Sequence, residues 1–362
     1  MIKVGGGVKT QITSPNNAGS CIDMIEPLNM VAVEQLGEPD PTAISKHDLL
    51  SSMAFDRSGS ILSVGDRGGR VICFQIQHNA QGIPEYEYLT EFQAHTKSFD
   101  VLSSHEISET VTNIEWISGR QSAQPALLTS NSRGIKLHRI VNKRVRKTES
   151  IKKKMQKGKG LSLPKTKVSS ESKEGKEVAA FKTGKEQHLH SLSLAPDMEN
   201  FIAADENLIN LWNLERPGES SVYNLLDYNR QRAGEDDEMI TSAKFAPTGS
   251  NFLYTTNKGD IRICDFRESS NFQNRPSLEF NLRQRKASCF DKWLNIVSDA
   301  SFVPNSDHLI LSRDYLSAKL WDMRMGSNAS TGMIVDTPST VKPIFSAQVT
   351  DYLERNLANQ LE

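Results

Sequence analysis

The sequence predicts an all-β fold, a β-propeller, and three observations carry that expectation. One supersecondary unit recurs five times along the chain. Each copy reads as three short strands of alternating or buried pattern, separated by Pro, Gly and Asp turns, with an acid or Asn a few residues before the third strand. No amphipathic helical stretch intervenes, and two copies end on Trp or Trp-Asp, which favours a WD-repeat propeller over a sandwich or a βαβ sheet.

In order, the first unit (48–76) runs Ser51 to Phe55, turns at Asp56 to Gly59, and continues through Ile61 to Val64 and Val71 to Phe74. The second (110–140) has Val111 to Trp116, Ala126 to Leu128, Asn131 and Ile135 to Leu137. The third (188–215) has Leu189 to Leu194, Phe201 to Ala203, Asp205 and Ile209 to Trp212. Ile240 to Phe245, Phe252 to Tyr254, Asn257 and Ile261 to Asp265 make the fourth (240–267). Val297 to Phe302, Leu309 to Leu311, Asp314 and Ala318 to Asp322 make the fifth (297–323). Across the copies Phe74, His138, Trp212, Cys264 and Trp321 occupy one slot, a packing position. Successive units stand further apart than the roughly 40 to 45 residues of a plain WD repeat, so long insertions separate the blades.

The stretch Ser63–Gln75, S-V-G-D-R-G-G-R-V-I-C-F-Q, has the glycines of a phosphate-cradling loop but not its context. Such a loop follows a strand and opens a helix, whereas Val71-Ile72-Cys73-Phe74 is β-branched and aromatic. The spacing also fits neither G-x-G-x-x-G nor a Walker loop, so Gly65 to Arg70 read as a hairpin turn whose glycines supply positive φ.

Formal net charge is −1, from 43 basic and 44 acidic side chains in 362 residues, so no global field argues for nucleic acid or membrane partners. Cys21, Cys73, Cys264 and Cys289 form no C-x-x-C and suit a reduced protein of the cytoplasm or nucleus. No apolar run approaches the roughly 18 residues of a membrane span, and the N-terminus lacks a signal-peptide core. Catalytic signatures are missing: no G-x-S-x-G, no His/Cys dyad, and histidines (His47, His78, His95, His105, His138, His188, His190, His308) without partners at metal spacing. The chain reads as a non-enzyme with no cofactor, in which His95 and Asp205 brace blades through hydrogen bonds.

Several runs are more distinctive than a generic WD repeat: Ala54 to Gly59, Gly65 to Val71, Glu85-Tyr86, Glu91 to His95 with Phe99-Asp100, Leu208 to Glu215, Lys258 to Arg267, Ser298-Asp299, and Ser312 to Leu316 running to Trp321-Asp322. Together, and in this order, they resemble the WD-repeat B family of regulatory subunits of type 2A serine/threonine protein phosphatase. The resemblance implies a non-catalytic subunit that binds the phosphatase scaffold and catalytic subunits and recruits phosphoprotein substrates carrying basic segments. That family has seven blades where this chain offers five, which points to a truncated or divergent member whose ring closure is open. Asp351 to Arg355 look like the short helix before a sixth blade. Residues 48–362 are read as the propeller, and residues 1–47, with Gly5-Gly6-Gly7 and Ser14 to Asn17, as a disordered leader.

Two insertions carry the charge. The basic one, 141–187, opens K-R-V-R-K-T-E-S-I-K-K-K-M-Q-K-G-K at Lys143 and allows three readings. It is a self-repelling solvated loop. It is a nucleic-acid or nuclear-import patch, disfavoured because Lys143 to Ala180 contain no aromatic on which a base could stack. Or it is, as the resemblance implies, a hairpin arm that packs on the scaffold, with Leu161, Leu163 and Pro164 as contacts. A generic WD platform that holds nucleic acid through this insertion is the alternative to the phosphatase reading. The second insertion carries Glu235, Asp236, Asp237 and Glu238, which lack the alternation and flanking helices of a calcium loop. The resemblance implies that these four acids, with Asp205 and Glu206, line a groove that attracts basic substrate segments.

Overall fold

The computed structural model describes residues 45–348, apart from the segments 79–83, 101–103, 118–123, 149–165, 183–187, 219–220, 228–237, 268–276, 282–295 and 329–342 and positions 222, 266, 305, 307 and 326. Five antiparallel sheets follow one another in chain order. Blade 1 is β1 (Leu50–Phe55), β2 (Ile61–Asp66), β3 (Arg70–His78) and β4 (Pro84–Gln93). A small hairpin, β5 (Ser98–Asp100) and β6 (His105–Ile107), precedes blade 2: β7 (Asn113–Ile117), β8 (Ala126–Ser130), β9 (Gly134–Thr148) and β10 (Thr166–Lys182). Blade 3 is β11 (Ser191–Leu194), β12 (Asn200–Ala204), β13 (Leu208–Asn213) and β14 (Tyr223–Asp227). Blade 4 is β15 (Ile240–Phe245), β16 (Asn251–Thr256), β17 (Asp260–Asp265) and β18 (Leu278–Asn281), and blade 5 is β19 (Asp299–Phe302), β20 (Leu309–Arg313) and β21 (Ser317–Asp322). The short β22 (Ser327–Asn328) pairs back onto β18, and β23 (Phe345–Gln348) completes blade 5.

Each blade therefore has four strands, and blade 4 a fifth in β22, where the repeat predicted three. The fourth is missed because few of its residues are buried, one of five in β14 and none of four in β23, so no pattern is carried. Those few residues matter. Phe92, Phe181, Leu226 and Phe280 stand opposite Val71, Ile135, Ile209 and Ile261 in their sheets, and all are buried.

The shared slot is visible in the register. Phe74, His138, Trp212, Cys264 and Trp321 pair with Leu62, Leu127, Phe201, Phe252 and Ile310, the equivalent position of every second strand. The slot residue then packs on the outer strand of the preceding blade. His138 lies 4.9 Å from Phe92, Trp212 6.0 Å from Phe181 and Trp321 5.6 Å from Phe280, centroid to centroid. Leu226 and Cys264 share the core between blades 3 and 4. Four apolar clusters fill the four interfaces, and each joins the front of one blade to the back of the next.

The first strands adjoin along the hub, β1 to β7 to β11 to β15 to β19. Polar side chains there bond the next blade: Asn113 Nδ2 donates to the His190 carbonyl, Ser191 Oγ to that of Ala243, and Ser242 Oγ to the Asp299 carboxylate. These bonds satisfy acceptors that an apolar hub would leave orphaned.

Gly65 to Arg70 form a turn between β2 and β3, with no helix behind it. Gly69 has φ +81°, and its carbonyl accepts from Ala94 and His95 N–H. A Cβ there would fall well inside contact distance of the His95 carbonyl oxygen. Gly69→Ala is therefore expected to lower stability by about 2 kcal/mol or more, measurable by denaturant titration. A second expectation uses the repeat itself. Trp321 Nε1 donates to Ser312 Oγ at 2.8 Å, whereas buried Trp212 Nε1 has no acceptor among the described residues and Ala203 holds the position of Ser312. Ala203→Ser should raise stability by about 1 kcal/mol, read from the same titration.

Candidate interaction surfaces

The turns between second and third strands crowd one end of the wheel, and in four of the five blades the polar residue that the sequence places there clamps the turn, whereas Asn257 of blade 4 accepts from Met239 N–H instead. Asp66 accepts from Arg70 N–H, Asn131 from Arg133 and Gly134, Asp205 from Asn207 and Leu208 at 2.9 and 2.6 Å, and Asp314 from Leu316 and Ser317. In blade 4 the Thr256 hydroxyl takes this role. A side chain that mimics the next backbone carbonyl fixes the turn without a further strand. Three of the turns also seat the following blade, since the Asp66, Ser132 and Glu206 carbonyls accept from Val111, Leu189 and Ile240 N–H.

Asp205 is thus buried within its own turn, and burial raises its carboxyl above the usual carboxylate range. Glu206 is half exposed at the turn tip, with its carboxylate 3.6 Å from His190 Nε2. Glu238 corrects the expectation of a surface acid: it is buried, 2.7 Å from Arg262 Nη1. The reason is Arg262 itself, which faces out of β17 and gathers Glu238, Asp260 and Glu279 around one guanidinium. Arg70 does the same in blade 1 with Asp48, Asp66 and Glu91. Each cluster sets three carboxylates around one guanidinium, with Asp66 buried in the first and Glu238 and Asp260 in the second. Glu235, Asp236 and Asp237 lie outside the described residues, as do Leu161, Leu163, Pro164 and Asp351 to Arg355.

The basic insertion is a hairpin wherever it is described. β9 and β10 continue their pairing past the blade, from Val141 opposite Glu174 to Thr148 opposite Thr166, a reach of about 25 Å at strand rise. The self-repelling loop fails here because 171–177 supplies acids in register. Arg144 meets Glu171 at 2.8 Å, Lys143 meets Glu174 at 2.9 Å, and Lys136 meets Glu177 at 2.9 Å. Each exposed pair contributes little alone, but together they offset the like charges of Lys136, Lys143 and Arg144, while the lysines of 149–165 lie outside the described residues. A run of lysines read along the sequence does not show the glutamates that face it across the hairpin.

The root of this arm is seated on blade 1. Thr90 Oγ1 donates to the Lys173 carbonyl at 2.8 Å, and the Phe92 ring lies against Gly175, where a Cβ would fall inside the ring's contact distance. At the opposite end of the wheel from the acids, a cleft of about 840 Å³ opens among Trp116, Leu137, Val178, Leu214 and Pro217, beside the Asp56 turn. Among the described residues no group of three or more His, Cys, Asp or Glu could hold a metal, and no helix is long and apolar enough to cross a membrane.

No family model matches the sequence. The human gamma isoform of the 55 kDa B regulatory subunit of serine/threonine-protein phosphatase 2A is 31% identical over 337 residues, covering 89% of this chain and 71% of the relative. The chain belongs to this family of B regulatory subunits. The beta isoform of Carassius auratus is 32% identical over the same length, and the PP2A B regulatory subunit of Schizosaccharomyces pombe is 34% identical over 298 residues, covering 79% of this chain and 63% of that protein. In fold, the crystal structure of Chaetomium thermophilum Raptor superposes with a TM-score of 0.50 at 14% identity, over 84% of this chain and 21% of that one. The family-like runs now have physical roles. Lys258 to Arg267 hold a turn and the Asp265–Arg267 clasp, and Trp321-Asp322 hold the slot and an equivalent clasp to Arg324.

In this B-family chain two buried histidines set a pH dependence. His95 Nε2 lies 3.0 Å from Thr129 Oγ1, and His138 is enclosed against Phe92. Burial pulls His95 down to about 3 and His138 down to about 4. The unfolded chain takes up these protons below about pH 6.5 while the folded one refuses them, so stability falls as pH drops from about 6.5 toward 4. Each histidine steepens that fall by up to about 1.4 kcal/mol per pH unit. His138→Phe, the residue of the blade 1 slot, should flatten it by one such increment in denaturant titrations across that range. For the arm, Gly175→Leu should displace Phe92 and increase protease cleavage along β9 and β10 relative to the unaltered chain.

Proposed function

We propose that this chain is a non-catalytic regulatory subunit of type 2A serine/threonine protein phosphatase. In this reading it binds the scaffold and catalytic subunits and recruits phosphoproteins with basic segments, acting in the cytoplasm and also in the nucleus. The observation that carries the reading is the identity with regulatory subunits along 89% of the chain. The acidic end of the wheel supports substrate recruitment, because clustered carboxylates steer basic segments and raise their association rate. The arm, held out by paired strands and anchored at Phe92 and Gly175, supports a second contact remote from that end. Specificity then comes from holding substrate and enzyme at once, and the partner performs the dephosphorylation.

The test is affinity purification of the full chain from cells, followed by mass spectrometry for phosphatase scaffold and catalytic chains. Their recovery supports the reading, and their absence overturns it. A charge reversal refines the substrate surface. Glu206→Lys should slow capture of a basic phosphopeptide several-fold at low salt, with little effect at high salt, and leave scaffold recovery unchanged. Asp205→Ala is the contrasting variant: it removes a turn clamp, so it should lower the melting temperature and weaken both interactions together.

A further inference from the structure

The cleft between blades 1, 2 and 3, at the end of the wheel opposite the Asp66 and Asp205 turns, contains two donors that no described residue satisfies. Trp116 Nε1 and Arg139 Nε are both buried without an acceptor among the described residues, and both side chains line the cleft. A donor buried in this way costs stability and calls for a reason. Arg139 is the sharper case, because a guanidinium withdrawn from water is ordinarily paired. Arg70, Arg262, Arg267 and Arg324 each hold a carboxylate at 3.0 Å or less. Arg139 holds none among the described residues.

Around these donors the cleft is largely apolar. Leu137 and Leu214 are buried at its base, Ile61 and Ile117 are half-buried, and Val178 is 49% exposed on its wall. Its two acids do not serve Arg139. Asp56 is committed to its own turn, where it accepts from Ile61 N–H at 2.8 Å and from Ser58 Oγ, and Glu215 stands exposed on the blade 3 side. Arg57, exposed on the blade 1 side, adds a second cation. A volume of about 840 Å³ is that of a ligand site. Walls as open as Val178, Arg57 and Pro217 enclose a compact small molecule poorly, and they suit a chain that passes through.

We propose that this cleft binds a short segment of a partner protein in which an Asp or Glu stands beside an aliphatic side chain. The carboxylate meets Arg139 and Arg57 on the side of blades 1 and 2, away from Glu215, and is the acceptor that Arg139 lacks. Guanidinium and carboxylate match as a forked pair, and apolar walls strengthen that pair by keeping water from it. The aliphatic group covers Val178 and packs toward Leu137 and Leu214. The charge preference is the reverse of that at Glu206, so the two ends of the wheel select different segments. The proposal is independent of the proposed phosphatase role.

Selection of a display library of random short peptides on the purified full chain tests this. The expected enrichment is Asp or Glu next to Leu, Ile or Val. A synthetic peptide of the enriched sequence, followed by fluorescence polarisation, should bind Arg57→Glu and Val178→Glu about tenfold more weakly than the unaltered chain. Both substitutions put an acid on the cleft at exposed positions, so the core is left intact. Glu215→Gln should act in the opposite sense and tighten the peptide several-fold at low salt. Recovery of phosphatase scaffold chains from cells should be the same for Arg57→Glu and Val178→Glu as for the unaltered chain. A library that enriches no such peptide, or only basic ones, overturns the proposal. So does an enriched peptide that binds both variants as tightly as the unaltered chain. A loss of scaffold recovery in these variants also overturns it, since the cleft would then belong to the scaffold contact.

Discussion

The contact on which the rest depends is the meeting of a buried outer-strand side chain with the slot residue of the next blade. A four-stranded sheet has two faces and cannot bury both alone. Here the third strands of blades 2 to 5 each send one side chain, His138, Trp212, Cys264 or Trp321, backwards to Phe92, Phe181, Leu226 or Phe280 of the blade before. Because that partner sits on the outermost strand, one contact fixes the radius at which neighbouring blades meet, while the hub bonds of Asn113, Ser191 and Ser242 fix the centre. A contact near the rim and another at the hub together fix how each blade is set against the next.

With the blades held, their turns are free for other uses. The same acid that closes a turn, Asp66 or Asp205, also lowers the field at that end of the wheel, and the arginines that could neutralise it are each shared among three carboxylates. Packing and charge are thus assigned to different parts of the same strands: apolar middles for cohesion, charged tips for closing the turns. The arm is a local exception. It is a pair of strands that has outgrown its blade, and it persists because opposite charges alternate across it and because Gly175 leaves room for Phe92 at its root.

Much of this was legible in the residues. The five units, their turns and the shared slot follow from period and punctuation, since buried strands and Asx turns leave strong local marks. The phosphate-loop alternative for Gly65 to Arg70 fails for the reason visible in Val71 to Phe74. The fourth strands were not legible, because a strand with one buried residue in five has no period to detect. Nor was the fate of Glu238. An acid within an acidic run reads as surface, and only the fold reveals that Arg262, more than twenty residues later, turns back to it. The arm's glutamates show the same limit: pairing across a hairpin depends on register, which a linear count of lysines cannot supply.

The front-to-back packing also gives the wheel a direction and a middle. Each blade leans only on its neighbours, so cohesion behaves as a sum over adjacent pairs along a row. Blade 3 has a partner on both sides, whereas blades 1 and 5 each have one described neighbour. Blade 3 is packed on both faces, by Phe201 and Trp212 toward blade 2 and by Ile202 and Leu211 toward blade 4, so its amides belong among the slowest to exchange and an opening at either interface leaves it leaning on the other.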